Sequence, residues 1–283
     1  MPIQITPQPA PKGPNPPIDL IALDLDGTLL APDESISVRN RTAIKNALAA
    51  GTRVVLVTGR GVDTPIRVSK ELGLNLPVIC CHGALTKDFG ANRTLESIPV
   101  PLKYAKPMVE LAEREKLSIA IYVEEAFYRL EGSEVHMDDM TGPGWYEAPS
   151  LSAILTEAPT FIRFLGEESV RRMQREFGDL PLSFRYETWG DFVECAVLNR
   201  EASKKNALAR LCADFGIPSD RVLAVGDSRN DVPMLRWAGI GVAMGNALPE
   251  VRESVRYVTA PNDQDGVAKA IERFGFPAAK KTA

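Results

Sequence analysis

The segment Leu20-Ile21-Ala22-Leu23-Asp24-Leu25-Asp26-Gly27 places two aspartates one residue apart at the end of an apolar run. Such a run reads as a buried strand, which does not accept ionised groups unless something offsets their desolvation. Asp24 and Asp26 therefore belong where the strand emerges, with Gly27 letting the backbone turn sharply. On an extended chain, residues two apart point to the same side. Two carboxylates then face one small space, and they repel unless a cation sits between them. Taken alone, the segment fits a strand followed by an acidic turn equally well. The rest of the chain decides between the two.

At 283 residues the chain is long for one domain and comfortable for two. A net charge of −4 gives no basic surface signature, so nucleic acid is not the expected partner. No apolar run approaches the length needed to span a bilayer, which argues against a membrane. Cys80, Cys81, Cys195 and Cys212 lack metal-ligand spacing and read as buried or spare thiols rather than disulfides. Residues 1–17, MPIQITPQPAPKGPNPP, are proline-rich without the apolar segment of a secretory signal. They read as a disordered or extended tail, and a cytoplasmic protein is the expectation.

Along the chain, Ser37 can cap a helix running to about Ala50, with Gly51 as its stop. Arg53–Val57 is a second buried strand ending at Thr58-Gly59-Arg60, a helix covers about Thr64–Leu72, and Pro77–Cys81 is a third strand ending at His82-Gly83-Ala84. This succession predicts parallel pairing with right-handed crossovers, and ligands gather beyond the carboxyl ends of such strands. The middle reads differently. Ser118–Leu130 and Phe161–Leu165 are strand-like, Glu167–Phe177 is helical, and Leu182–Leu198 predicts a hairpin turning at Trp189-Gly190-Asp191. Met137–Met140 reads as a solvated loop and Trp145-Tyr146 as packing aromatics. From about Ser203 the β–α alternation returns, with a helix to Phe215, a strand Arg221–Val225 leading into Gly226–Asp231, a helix to Ala238, strands at Ile240–Ala243 and near Tyr257–Thr259, and a last helix from Gly266. The expected fold is α/β: a Rossmann-like parallel-sheet core interrupted by an inserted α+β domain with an antiparallel sheet.

Separate loop segments supply matching groups: Asp24 and Asp26, then Thr58, then Lys204, then Asp227 with Asn230 and Asp231. Singly, each has a plainer explanation. Thr58 fits a hydroxyl turn, Lys204 beside Lys205 fits a solvated helix start, and Asp227 fits an N-cap. Together they describe Mg²⁺-assisted phosphoryl transfer, because Mg²⁺ takes oxygen ligands including one or two carboxylates, with phosphate and water completing the shell. In that chemistry Asp24 and Asp227 ligate the metal. Asp24 attacks phosphorus to give an aspartyl phosphate, and Asp26 moves protons to and from the leaving and attacking oxygens. Thr58 and Lys204 hold phosphate oxygens.

The motifs DLDGTLL, VTGR, the lysine of ASKKNAL, and GDSRND, in this order, resemble the haloacid dehalogenase superfamily of phosphatases. GVAMGNALPEVRESVRYVT and DGVAKAI are similar to its Cof-type branch, subfamily IIB, in which a large α/β cap lies between the second and third motifs. By position, the resemblance implies Asp24 as nucleophile and metal ligand, and Asp26 as acid/base whose backbone carbonyl also binds Mg²⁺. It implies Asp227 as the further metal carboxylate, Thr58, Gly59, Lys204 and Asn230 at the phosphate, and Asp231 as a supporting group. Arg60 and His82 are further candidates. The implied division is a core of residues 18–85 and 199–283 with a substrate-selecting cap of 86–198. Spacing agrees: one helix and one strand separate Asp24 from Thr58, whereas the stretch from Ala84 to Lys204 has room for a domain.

Two departures stand out. His82 occupies the place of the Asn usual in that branch, and can touch substrate, titrate near neutrality or satisfy a backbone carbonyl. Lys205 stands where glycine is usual, leaving the choice between Lys204 and Lys205 open. The leading reading is an Mg²⁺-dependent phosphatase acting on a small phosphorylated metabolite, a sugar phosphate or phosphorylated cofactor. A phosphosugar mutase is the rival, with Arg163 and Arg185 as candidates for gripping a second phosphate. A phospho-accepting receiver or binding protein without turnover is the reading from another class, disfavoured because receivers are about one ordinary domain long. Glu194 and Trp189 are candidates for facing the site.

Overall fold

A computed structural model describes residues 17–123, 125–132, 144–189 and 192–275. The expectations for the proline-rich tail before Pro17, for Met137–Met140, for the hairpin tip Gly190-Asp191 and for the Trp189 side chain lie outside the described residues. The described chain divides into two compact units. The first runs to Arg60, continues over Thr64–Arg93 and resumes at Ser203; the second takes Gly61–Asp63 and Thr94–Ala202.

In chain order the elements are β1 (Leu20–Leu23), α1 (Val38–Ala49), β2 (Arg53–Leu56), α2 (Asp63–Leu72), β3 (Val78–Cys80), β4 (Leu85–Asp88), β5 (Arg93–Ser97) and α3 (Leu102–Glu115). There follow β6 (Ile119–Val123), β7 (Ala126–Leu130), β8 (Trp145–Ala148), α4 (Leu151–Ile154), β9 (Phe161–Leu165), α5 (Glu167–Phe177), β10 (Leu182–Trp189) and β11 (Phe192–Asn199). The chain then adds α6 (Lys204–Asp214), β12 (Val222–Gly226), α7 (Val232–Trp237), β13 (Ile240–Ala243), α8 (Pro249–Glu253), β14 (Tyr257–Val258) and α9 (Gly266–Phe274).

The first unit is built on a five-stranded sheet in the order β14-β13-β12-β1-β2, parallel throughout. Every residue of β1 is fully buried because both faces are covered. Ile21 and Leu23 pack with α1 and α9 through Ile44 and Ile271, while Leu20 and Ala22 pack with α6 and α7 through Leu208 and Met234. Ser37 caps α1 by accepting the Asn40 N–H. With β2 on one side of β1 and β12 on the other, chain order reverses at β1. Asp24 emerges at that switch point, where parallel sheets place their ligands.

The second unit has a six-stranded sheet in the order β10-β11-β9-β6-β7-β8. One face packs on α3 and α5 through Ile121, Phe164, Val109 and Met173. Trp145 stacks on Phe127 with ring centroids 4.2 Å apart.

Three details differ from the sequence reading. β3 touches β2 through a single parallel bridge, Val57 with Ile79, and then pairs antiparallel with β4, because a three-residue strand followed at once by a turn and hairpin cannot extend the parallel ladder. The strand-like run Ser118–Leu130 is two paired strands, β6 and β7, joined by a turn in which Glu125 has φ 66°. The second sheet is antiparallel except for β8, which joins β7 in parallel. Among the described residues no helix is long and apolar enough to cross a membrane.

All four cysteines are buried, and none is in a disulfide. Burial pushes the Cys195 thiol up to about 12 and the Cys212 thiol up to about 11, so neither offers a thiolate near neutrality. A colorimetric thiol titration at pH 8 is expected to find no rapidly reacting cysteine in the native protein and all four after denaturation. Fast native labelling of any of them contradicts this packing.

Candidate active site

The loops at the carboxyl edge of the parallel sheet bring the sequence candidates together in three connected groups. The first is buried and ionic. Lys204 Nζ donates to Asp24 Oδ1 at 2.6 Å and to Asp231 Oδ1 at 2.7 Å. Lys204 is 1% exposed, Asp24 3% and Asp231 0%. Lys204 is the first residue of α6, behind the Ser203 cap, where the helix dipole disfavours a cation. Two desolvated carboxylates offset that penalty and give the lysine its place. The neighbouring Lys205 instead donates to Asn206 Oδ1, so the ammonium against Asp24 belongs to Lys204.

Asp227 completes the cluster. Oxygens of Asp24, Asp227 and Asp231 lie within 4.8 Å of one another, and Thr28 Oγ1 donates to Asp227 Oδ1 at 3.3 Å. Burial, then repulsion from Asp231, raises the Asp24 carboxyl well above the ordinary range against the pull of Lys204. The same two causes push Asp227 up to about 7. Burial works to discharge Lys204, but Asp231 and Asp24 more than offset it and hold its pKa above the usual lysine value. Three carboxylates share one ammonium here. Asp231 has both oxygens engaged: Oδ1 takes Lys204, and Oδ2 accepts the backbone N–H groups of Asp227 and Ser228. It therefore fixes the loop that carries Asp227.

The second group surrounds Asp26, half-exposed at the mouth of the loop. Arg60 donates through Nε to both Asp26 oxygens at 3.0 Å and through Nη2 to Oδ1 at 2.6 Å, while its Nη1 pairs with Glu34 at 2.6 Å. Thr58 Oγ1 accepts the Arg60 N–H at 3.1 Å, which is the hydroxyl turn that the sequence offered as its plainer reading, and the hydroxyl proton can still be donated.

The third group is the turn after β3. Cys81 and His82 have φ of 51° and 55°, and Gly83 has φ 90°. Cys81 N donates to Arg60 O and His82 N to Thr58 O, tying this turn to the Thr58 loop. A Cβ on Gly83 would lie 2.3 Å from Ser203 O, so only glycine fits against the start of α6. Asn230 Nδ2 lies 3.3 Å from His82 Nδ1.

Thr28, Ser228 and Glu34 are functional supports that the motif reading passed over. Thr28 and Ser228 stand inside the DLDGTLL and GDSRND segments themselves, where a hydroxyl next to a metal-type aspartate was the available signal. The two cap candidates Arg163 and Glu194 pair with each other, with Glu194 side chain 4% exposed.

The chain belongs to the haloacid dehalogenase-like hydrolases, whose family model matches residues 21–271, and it is a phosphoric monoester hydrolase. Pyridoxal phosphate phosphatase YbhA of Escherichia coli strain K12 is 30% identical over 89% of this chain and 97% of its own length. 5-Amino-6-(5-phospho-D-ribitylamino)uracil phosphatase YcsE of Bacillus subtilis strain 168 is 31% identical over 91% of this chain and 96% of its own. The crystal structure of a haloacid dehalogenase-like hydrolase from Bacteroides thetaiotaomicron superposes with a TM-score of 0.77 at 26% identity, covering 90% of this chain and 99% of that one.

Replacing Lys204 by methionine keeps its apolar stem and leaves Asp24 and Asp231 without their counter-charge. Breaking a buried pair in this way costs about 3–5 kcal/mol. Urea unfolding of Lys204→Met in a chelator-containing buffer at neutral pH is expected to show a loss of that order. An unchanged midpoint contradicts the assignment of Lys204 as the charge that keeps the cluster buried.

Proposed function

We propose that the protein is an Mg²⁺-dependent phosphatase that hydrolyses small phosphorylated metabolites through an aspartyl phosphate on Asp24. The observation that carries this reading is the charge imbalance of the cluster: Asp24, Asp227 and Asp231 converge with Lys204 as their one close cation among the described residues. A divalent ion fits such a donor set. Its ligands are all hard oxygens, and Mg²⁺ is ordinarily held by one or two carboxylates plus phosphate and water. Asp24, Asp227 and the backbone carbonyl of Asp26 would hold it, since the oxygens of Asp231 are already engaged. When bound, the ion supplies positive charge at the phosphoryl oxygens, easing the approach of one anion to another.

The remaining work falls to the chain's own residues. Asp24, oriented by Lys204, attacks phosphorus; its new O–P bond forms as the P–O bond to the leaving group breaks. Asp26 in its protonated form gives that proton to the departing oxygen, and as a carboxylate then takes one from the water whose attack on phosphorus breaks the Asp24 O–P bond. Arg60 steers the Asp26 carboxylate by gripping both of its oxygens. The Thr58 hydroxyl, the Gly59 N–H, the Lys204 ammonium and the Asn230 amide receive the phosphate oxygens.

In this reading residues 18–85 and 199–283 perform the chemistry, and 86–198 form a cap that selects the substrate. The two named relatives act on pyridoxal phosphate and on a ribitylaminouracil phosphate, which supports a phosphorylated cofactor or cofactor precursor, or a sugar phosphate, as substrate. The mutase reading loses ground because Arg163, a candidate for gripping a second phosphate, is already neutralised by Glu194.

A phosphate-release assay over a panel of phosphorylated cofactors and sugar phosphates, run with Mg²⁺, tests the reading. Asp24→Asn is expected to lose at least about 10³-fold in kcat, and chelation is expected to abolish turnover that Mg²⁺ then restores. Undiminished turnover by Asp24→Asn, or activity indifferent to chelator, contradicts it.

A further inference from the structure

The turn after β3 carries a side chain for which neither the family match nor the proposed chemistry accounts. His82 is 6% exposed and sits in left-handed backbone, a strained conformation for a residue other than glycine. Such strain persists where the surroundings require it. Here the turn throws the imidazole across Gly59: a Cβ on Gly59 would lie 2.4 Å from His82 Cε1 and 2.9 Å from Nδ1. Glycine at 59 is thus the space into which the ring fits. On the other side, Asn230 Nδ2 lies 3.3 Å from His82 Nδ1.

The proton assignment follows from the neighbours. Ser228 Oγ lies 2.9 Å from Asn230 Oδ1 and 3.1 Å from Asp231 Oδ2. The hydroxyl proton can go to either oxygen, and the Asn230 amide is placed with Oδ1 facing the hydroxyl. That placement turns its NH₂ towards His82. An amide NH₂ only donates, so Nδ1 accepts and the ring proton resides on Nε2.

We infer that His82 is a positioning residue: by accepting at Nδ1 from Asn230 while wedged on Gly59, it fixes the Asn230 amide and the Gly59 backbone as one rigid phosphate-receiving unit. The inference rests on the reading that Asn230 meets the phosphate. Its energetic logic is preorganisation. An amide held by Ser228 on one side and His82 on the other loses no rotational freedom when the phosphate arrives. The Thr58 loop is drawn into the same unit, because His82 N donates to Thr58 O at 3.0 Å. That contact uses backbone alone and survives substitution of the ring.

Asparagine tests the acceptor at this position: its Oδ1 replaces Nδ1 at the same distance along the side chain, and it tolerates left-handed backbone. Leucine keeps the bulk near Gly59 without an acceptor. With p-nitrophenyl phosphate and Mg²⁺, His82→Leu and Asn230→Ala are each expected to lose about tenfold in kcat/KM, with a parallel rise in the inhibition constant of inorganic phosphate. The double variant is expected to lose no more than either single one, and His82→Asn to recover most of the loss. The chain has two histidines, so a ¹⁵N-histidine spectrum referenced to His136→Gln reads the ring directly and is expected to show the neutral Nε2–H tautomer. A defective Asn230→Ala beside a fully active His82→Leu, losses that multiply in the double variant, or an Nδ1–H tautomer overturns the inference while leaving the phosphatase reading intact. An Asn230→Ala variant with wild-type kinetics overturns both the role of Asn230 and the inference. Should His82→Leu fail to fold, Gly59→Ala, which drives a methyl into the ring, must reproduce the same rise in the phosphate inhibition constant; a normal constant there overturns the inference.

Discussion

An ammonium buried at the start of a helix is unfavourable on two counts, desolvation and the helix dipole, and Lys204 meets both. Asp24 and Asp231 are equally unfavourable where they stand without it. The three are tolerable only together, so the ends of β1 and β12 and the start of α6 are fixed to one another within hydrogen-bonding distance. The cluster is a structural element built from the candidate site residues. What it leaves over is more carboxylates than cations beside Asp227, the imbalance on which the proposed binding of a divalent cation rests.

The rest of the first unit arranges itself around that excess. The parallel sheet delivers strand ends to one edge, and order reversal at β1 opens a crevice there. Charge is graded outward from this point. Asp24 is buried and held by an ammonium, while Asp26 two residues on is half-exposed and held by the Arg60 guanidinium. In the proposed mechanism the buried carboxylate attacks and the exposed one exchanges protons, so environment separates their tasks.

Much of this was legible in the sequence because its causes are local. Leu20–Leu23 can only be a doubly buried strand, so Asp24 must emerge at its end, and Ser37, Gly51, Ser203 and Gly216 punctuate helices by their own conformational preferences. What escaped depends on long-range pairing. Nothing within Val78–Cys80 reveals that its ladder partner is the strand that follows it. The run Ser118–Leu130 is uniformly strand-like, and its break follows from pairing between β6 and β7. At the site, the residue types pointed to phosphoryl transfer, yet the choice between Lys204 and Lys205 was decided only by which ammonium faces the aspartates. The partnership of Arg163 with Glu194 and that of His82 with Asn230 join residues 31 and 148 positions apart, a distance over which no pattern in a single sequence speaks.

In the proposed mechanism Asp24, oriented by Lys204, forms a covalent bond to the transferred phosphoryl group. Acid quenching during turnover with a ³²P-labelled substrate, followed by peptide mapping, tests it most directly. A near-stoichiometric, hydroxylamine-labile label is expected on the peptide bearing Asp24, and it vanishes in Asp24→Asn. Phosphate release without any covalent label, or a label on another residue, would contradict it.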